Sequence, residues 1–475
     1  MIATNQEEIG ILCSYRNSIS ESTAFKFRSL PSSMEGTPYD LIILGATGFT
    51  GKYVVREALR FLNPSSPLKS FALAGRNLTK LTQTLQWAAH PHSPPPIPLL
   101  IADIADPQSI HRLCTQTKLI LNCVGPFRRY GEPVVAACVE TGCDYLDICG
   151  EPEFMEKMEA NYHERAVQSG ALVVSACGFD SVPAELGLMF NSRQWVGQTA
   201  PNRIEAYLSL ESSKKIVGNF GTFESAVLGV ANADQLLKLR RSRPRKPRPK
   251  IPGPPPPKGP TIEHKKEIGL WSVRLPSADS TVVRRTLSTL VENPQGLPGV
   301  NESAYEIEQR KTFWSSVKPA HFGVKIGTKS LIGILRIIAV GMFIGLLGKT
   351  SLGRWLLLTF PSVFSLGWFR KKGPSEEEVN SASFKMWFVG HGFRSSNNEA
   401  NVEPEMEIVT RVMGPEIGYL TTPIILVQCA LIVLSRREAL PKGGVLTPGI
   451  VFGPTDLQQR LQENGISFDV ISKNA

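Results

Sequence analysis

Three glycines at a spacing of three, Gly45, Gly48 and Gly51, lie directly after the apolar run Leu41–Leu44 and directly before a helical pattern. Residues of this type at this spacing suit a turn that cradles phosphates. Gly45 permits the tight strand-to-helix reversal, Gly48 lets a pyrophosphate approach the backbone, and Gly51 lets the helix pack closely on its sheet. Thr47, Phe49 and Thr50 fill the positions between, and the free N–H groups of the helix start would face the phosphates. The pattern is G-x-x-G-x-x-G rather than G-x-G-x-x-G, so its setting has to carry the reading.

The setting supplies further candidates. A strand at Ser70–Ala74 ends in Gly75-Arg76-Asn77, where an NAD-preferring fold would carry an acid on the ribose 2′-hydroxyl. Arg76 suits a 2′-phosphate instead, which points to NADP(H), with NAD(H) and a merely solvated arginine as the alternatives. The strand Pro98–Ala102 closes on Asp103, placed to reach an adenine edge. The strand Leu119–Val124 contains Asn122 and closes on Gly125-Pro126, where a nicotinamide ring would lie. In the turn that follows, Tyr130 is a candidate proton donor and Arg128 a candidate carboxylate or phosphate clamp. Asp147, on the strand Tyr145–Ile148, together with Glu151 and Asp180, is a candidate for orienting substrate or relaying a proton. Asp180 is equally suited to capping the helical run Ala184–Phe190, where Pro183 occupies a start position.

These residues need elements that bring them to one edge. Apolar positions recur at helical spacing from Lys52 to about Phe61, and further helices start at Pro107 and Pro133. Strand alternating with helix makes a Rossmann-type, doubly wound parallel α/β sheet the economical reading, and right-handed crossovers would place every strand's carboxyl end along one edge. This domain is expected over 38–180. A second, mixed α/β domain is expected over 181–475, and an N-terminal extension over 1–37. The extension lacks an apolar signal-peptide core and carries Glu7, Glu8, Glu21 and Glu35, against a transit-peptide composition.

Composition bounds the rest. The 475 residues are 42% hydrophobic, enough for two or three domains with real cores. The eight cysteines include no C-x-x-C pair and read as buried free thiols of a reducing compartment. Cys138, Cys143 and Cys149 lack the spacing of structural zinc, so no metal site is expected. Nine Lys or Arg and no acid lie between Lys238 and Lys258, so the remainder of the chain holds only +1 of the net +10. With its prolines, the stretch 238–260 reads as an extended, mobile loop that either contacts anionic lipid or is simply solvated. It has no interleaved aromatics, which argues against nucleic acid.

The segment 326–372 is the main apolar feature. Ser330–Gly348 is apolar except for Arg336, which would cost ~2.5–3.5 kcal/mol at a helix centre in a bilayer. Trp355–Phe369 is shorter and carries Pro361. Basic residues flank both outer ends, so a helical hairpin in one leaflet fits better than a span. Helices packed on the core or across a homodimer interface are the alternative.

Two absences narrow the chemistry. No tyrosine is followed by lysine four residues later, and no G-x-S-x-G nucleophile turn occurs. Hydride transfer asks chiefly for positioning and charge stabilisation, and is compatible with both.

Several stretches, taken in order, resemble the saccharopine dehydrogenase-like oxidoreductases of eukaryotes: Gly45 to Gly51, Leu73 to Arg76, Asn122 to Phe127, Tyr130 to Pro133, Tyr145 to Glu151, Gly178 to Pro183, Gly414 to Tyr419 and Gly443 to Gly449. The resemblance runs from about Tyr39 to the carboxyl terminus. It implies a nicotinamide-binding Rossmann domain, a second domain lining the cleft, and hydride transfer involving an imine. Bacterial members of the subgroup look like enoyl reductases of lipid intermediates. The expectation is an NADP(H)-dependent oxidoreductase acting on an imine-type or lipid enoyl substrate at a membrane or lipid-droplet surface, in the mitochondrion or on the droplet. A catalytically silent Rossmann scaffold, sensing redox state or organising a membrane, is the alternative.

Overall fold

The computed structural model describes residues 37–257, 259–274, 277–395 and 403–474. Of the expected N-terminal extension only Thr37 falls among them. The chain begins β1 (Tyr39–Leu44), α1 (Phe49–Arg60), β2 (Phe71–Gly75), α2 (Leu78–Ala89), β3 (Leu99–Ile101), α3 (Pro107–Cys114), β4 (Thr117–Asn122), α4 (Phe127–Tyr130), α5 (Glu132–Thr141), β5 (Asp144–Asp147), α6 (Pro152–Ser169) and β6 (Leu172–Val174). It continues through α7 (Val182–Ser192), β7 (Ala200–Ser212), β8 (Gly218–Asn219), α8 (Phe220–Ala231), α9 (Ala233–Ser242), β9 (Ile262–Lys265), β10 (Leu270–Arg274), α10 (Ala278–Glu292), α11 (Ala304–Ser316) and β11 (His321–Thr328). The last elements are α12 (Leu331–Leu347), α13 (Ser351–Thr359), α14 (Pro361–Phe364), β12 (Phe369–Arg370), α15 (Glu376–Asn380), β13 (Ala382–Phe393), β14 (Met406–Pro415), α16 (Thr422–Arg436), β15 (Gly444–Leu446) and β16 (Ser467–Asn474).

The first sheet is parallel, in the order β15-β6-β5-β4-β1-β2-β3. Its central strands are uninterrupted apolar runs, as a sheet covered on both faces requires; Leu41, Ile42 and Ile43 are wholly buried. The strand order reverses between β1 and β4, the crevice where doubly wound sheets bind ligands. Register brings the strand ends level: Leu44 pairs with Ala74 and Asn122, and Asn122 pairs with Asp147.

The seventh strand comes from far along the chain. β15 pairs with β6 and extends the sheet beyond the stretch 38–180. Arg437 clamps this edge, with Nε donating to Asp144 at 2.6 Å and Nη2 to the carbonyls of Gly170 and Lys442 at 2.8 Å. α16 lies against α1, β4 and β5, and most of its residues are buried. Ile417–Ala439 is long and apolar enough to cross a membrane, but it is mostly buried and serves as a core helix.

The second sheet runs β16-β14-β13-β7-β11-β10-β9, antiparallel except for the β7–β11 pair. α7 bears directly on it. A Cβ at Gly187 would stand 2.0 Å from the Phe388 ring, so only glycine lets the helix approach. Asn191 Nδ2 donates to the carbonyls of Phe388 and Ile408 and to Thr410 Oγ1, at 3.1–3.2 Å.

The basic stretch has no helix or strand after Ser242 among its described residues, but it is tied down at several points. Its first residues close α9, and two of its nine cations are held on buried acids of α6: Arg240 is bidentate on Glu156, and Lys246 pairs with Glu159. Further on, Asn202 Nδ2 donates to the carbonyls of Pro252 and Pro254 at 2.7 and 3.0 Å. Composition gave no sign of these pairs, because the two acids lie about eighty residues away in sequence.

Within the apolar segment, residues 326–328 belong to β11, paired with β7 and β10. The remainder forms α12, α13 and α14, which rest on α8 through Phe223, Val227 and Leu357. The outward side is apolar: Ile332, Leu346, Leu352, Trp355 and Val363 are 58–73% exposed. No acid occurs between Ser330 and Pro374.

Candidate functional site

The turn after β1 is built as its glycines require. Gly45 has φ +81°, and a Cβ there would lie 2.6 Å from Val124 Cγ2 in the turn after β4. Gly48 N donates to Gly45 O at 2.9 Å, and a Cβ on Gly51 would fall 2.2 Å from that same oxygen. α1 starts without a side-chain cap, leaving its first N–H groups for a ligand. The Phe49 ring lies edge-on to Tyr419, with centroids 4.7 Å apart, and in contact with Tyr53. The motif Gly414–Tyr419 thus closes over the glycine turn.

Arg76 follows β2 on the same edge, is exposed, and has no hydrogen bond or ion pair among the described residues. Asp103 is exposed after β3, and its Oδ1 accepts from Ala105 N at 3.0 Å. Asn122 is wholly buried; its Oδ1 accepts from Val124 N at 3.0 Å and its Nδ2 donates to Tyr145 Oη at 3.1 Å. That bond turns the chain out of β4 at Asn122, two residues earlier than the apolar run suggested. Gly125 is exposed and Pro126 buried at the start of α4.

Glu151 fixes the turn after β4. Its carboxylate accepts from Phe127 N at 3.0 Å, Arg128 N at 3.1 Å and Ser225 Oγ at 2.9 Å. Arg128 donates to the Leu228 carbonyl at 2.6 Å and pairs with Glu153. Tyr130, at the end of α4, is 41% exposed, and its hydroxyl has no partner among the described residues.

The two candidate carboxylates have opposite surroundings. Asp147 is wholly buried and fully engaged: Oδ1 accepts from Cys149 N and Ala176 N at 2.9 and 2.8 Å, and Oδ2 from Tyr145 Oη and Ser175 Oγ at 2.8 and 2.9 Å. Burial pushes it up to about 6 against those four bonds. Asp180 is open to solvent yet so hemmed in by protein that burial raises its pKa. A Cβ at Gly150 would meet its Oδ2 at 2.4 Å. It makes no capping bond to α7, and neither does Ser181.

Two further carboxyl groups stand behind Asp180. Asp279, on the first turn of α10, is 7% exposed and its Oδ1 has no hydrogen-bond partner. Burial first, then the charge of Asp180, pushes it up to about 7. Glu185 is held by Thr286 and by Gly449 N at 2.7 Å, and burial pushes it up to about 7. Asp279 is not among the residues singled out from the sequence: it lies on the first turn of a helix, its N–H donating to the capping Ser277 Oγ at 3.0 Å, and only the fold brings it near Asp180. Chemically, the edge offers a glycine turn with uncapped N–H groups, a guanidinium without a partner among the described residues, and a solvent-facing carboxyl whose charge helps raise a buried one.

Comparisons with known proteins agree with this arrangement. Residues 41–174 match the family described as the saccharopine dehydrogenase NADP binding domain. A probable mitochondrial saccharopine dehydrogenase-like oxidoreductase of Arabidopsis thaliana is 68% identical over 93% of this chain and 98% of its own. The saccharopine dehydrogenase-like oxidoreductase of Mus musculus is 37% identical over 93% of this chain and 99% of its own. A lipid droplet localized protein of Caenorhabditis elegans is 31% identical over 92% and 99%. Among solved structures, apo saccharopine dehydrogenase (L-Glu forming) from Saccharomyces cerevisiae shares the fold, with TM-score 0.51 and 12% identity over 91% of this chain and all of that one. With its nucleotide turn intact and its length matched almost throughout, the chain belongs to the saccharopine dehydrogenase-like oxidoreductases.

Proposed function

We propose that this oxidoreductase prefers NADP(H) and works at a lipid surface, on an imine-type or lipid enoyl substrate. The free Arg76 beside the glycine turn carries the cofactor preference: a guanidinium at the end of β2, with no acid on it, suits a 2′-phosphate. The turn fits the group: Gly45 and Gly51 let it close tightly, since a Cβ there would strike Val124 Cγ2 or the Gly45 carbonyl, and the uncapped first N–H groups of α1 are left for phosphate oxygens. Bound there, the cofactor would supply a hydride at the carboxyl edge of the first sheet.

The chain's own groups then divide the work. Asn122 and Glu151 hold the turn after β4 at the reacting edge. Asp147 is a positioning residue, tying the ends of β5 and β6 together. Asp180 faces the cleft and handles the proton, while burial and the charge of Asp180 favour the protonated form of Asp279 behind it. Tyr130 lies open nearby. The outward apolar side of α12–α14, with no acid in the segment, supports work at a membrane or droplet surface. The names of the Arabidopsis and Caenorhabditis relatives support the mitochondrion and the droplet as its places.

The test is titration of the purified full chain with NADPH and NADH, followed by nicotinamide fluorescence. NADPH should bind more tightly, and Arg76→Ala should erase most of the difference, roughly tenfold or more for a charge-assisted phosphate contact. Equal binding of both by wild type would remove the NADP assignment. Binding of neither would favour the silent scaffold.

A further inference from the structure

A cavity of about 420 Å³ opens between the turn after β4 and the apolar hairpin. Arg128, Arg129, Lys157 and Arg354 line it, against Glu153 as the one lining acid. Arg128 and Glu153 pair with each other, and Lys157 pairs with Glu132 at 2.5 Å. Arg129 gives one N–H to Glu224 at 3.2 Å and is 48% exposed. Arg354 reaches only the carbonyls of Gly348 and Lys349 and Ser351 Oγ, and no carboxylate pairs with it among the described residues.

The position matters as much as the charge. Arg354 sits on α13 between Leu352 and Trp355, both exposed on the apolar side. Arg129 sits on α4, beside the strand end where hydride would be delivered. α8 joins the two: Phe223 and Val227 carry the hairpin, Glu224 holds Arg129, Ser225 bonds Glu151, and the Leu228 carbonyl holds Arg128.

We infer that this cavity takes the phosphate headgroup of a lipid whose acyl chains lie under the α12–α14 face. The inference rests on the lipid-surface reading above. Two guanidinium groups converging from different elements suit a phosphate's several oxygens, and the volume suits a headgroup. Such a grip would hold an amphipathic lipid with its polar end beside the reacting edge.

The experiment is flotation of the full chain with phosphatidylcholine vesicles, with and without a minor fraction of phosphatidic acid. It compares wild type, R129A/R354A, and K311A/K442A as a control of equal charge outside both the cavity and the apolar segment, each checked for fold by circular dichroism and NADPH binding. Phosphatidic acid should enrich wild type at least about fivefold over neutral vesicles. R129A/R354A should fall to the neutral level while K311A/K442A keeps most of the gain. Equal losses in both variants, or no gain in wild type, would overturn the headgroup site and leave the lipid-surface reading standing. If wild type floats on neither vesicle, that reading fails, and calorimetry with inorganic phosphate and glycerol 3-phosphate decides the cavity. Binding that R129A/R354A abolishes would assign it to a free phosphate compound; no binding would overturn it.

Discussion

Asp147 shows how a residue type can be legible while its role is not. The sequence marks a carboxylate at a strand end, which would suit substrate or proton chemistry, but the structure surrounds it with four donors. Asp147→Ala should leave two buried N–H groups and two hydroxyls without their acceptor and cost about 3 kcal/mol or more by urea denaturation. Asp147→Asn should cost much less, because the Tyr145 and Ser175 hydroxyls can turn to accept from the amide. Its carboxyl is raised in the fold, so the native chain holds a proton the unfolded chain has released, and stability falls as pH rises from about 4 to about 6. The asparagine variant should lose that part of the slope. A large loss in Asp147→Asn would show the negative charge itself to be needed. Asp180 is the converse case: cap and cleft carboxylate could not be separated from sequence, and the absent capping bond favours the cleft.

At the scale of elements, the sequence gives up what is local. The glycine turn, the strands feeding it and the starts at Pro107 and Pro133 depend on neighbours within a few residues, and they stand within two or three positions of where spacing predicts them. What depends on distant partners was hidden. Arg240 and Lys246 pair with Glu156 and Glu159, and β15 needs the free edge of β6. The hairpin was legible as apolar and basic-flanked, but only packing on α8 shows which side faces outward. That side yields a direct prediction. Leu346→Asp and Trp355→Asp, at 73% and 58% exposure, should barely change the denaturation midpoint yet abolish flotation with vesicles. Variants that float normally would exclude this face as the lipid contact; variants that unfold would show it to be covered.

Across the whole molecule, buried carboxyls set an unusual pH dependence. Burial raises Asp147 to about 6 and Glu185, Asp279 and Glu416 to about 7. Each keeps a proton in the native chain that the unfolded chain loses near 4, so each contributes stability that declines as pH rises through that window. His391, lowered to about 4 by burial, and His321, also lowered by burial, act oppositely, because the unfolded chain binds their protons below about 6.5. Four carboxyls outweigh the two histidines, so the urea midpoint should be higher at about pH 5.5 than at about pH 8. An equal or lower midpoint at the acid end would show that these carboxyls are ionised in the native state. The edge strand β15 carries a further consequence, for biosynthesis. A nascent chain that has emerged only as far as α9 has made every other strand of the first sheet, yet the edge of β6 stays unpaired and Asp144 lacks Arg437. Such an edge is open to pairing with another chain. Release of a complete nucleotide-binding sheet therefore waits until the ribosome has passed residue 446, and a message truncated before that point should yield a product retained by chaperones.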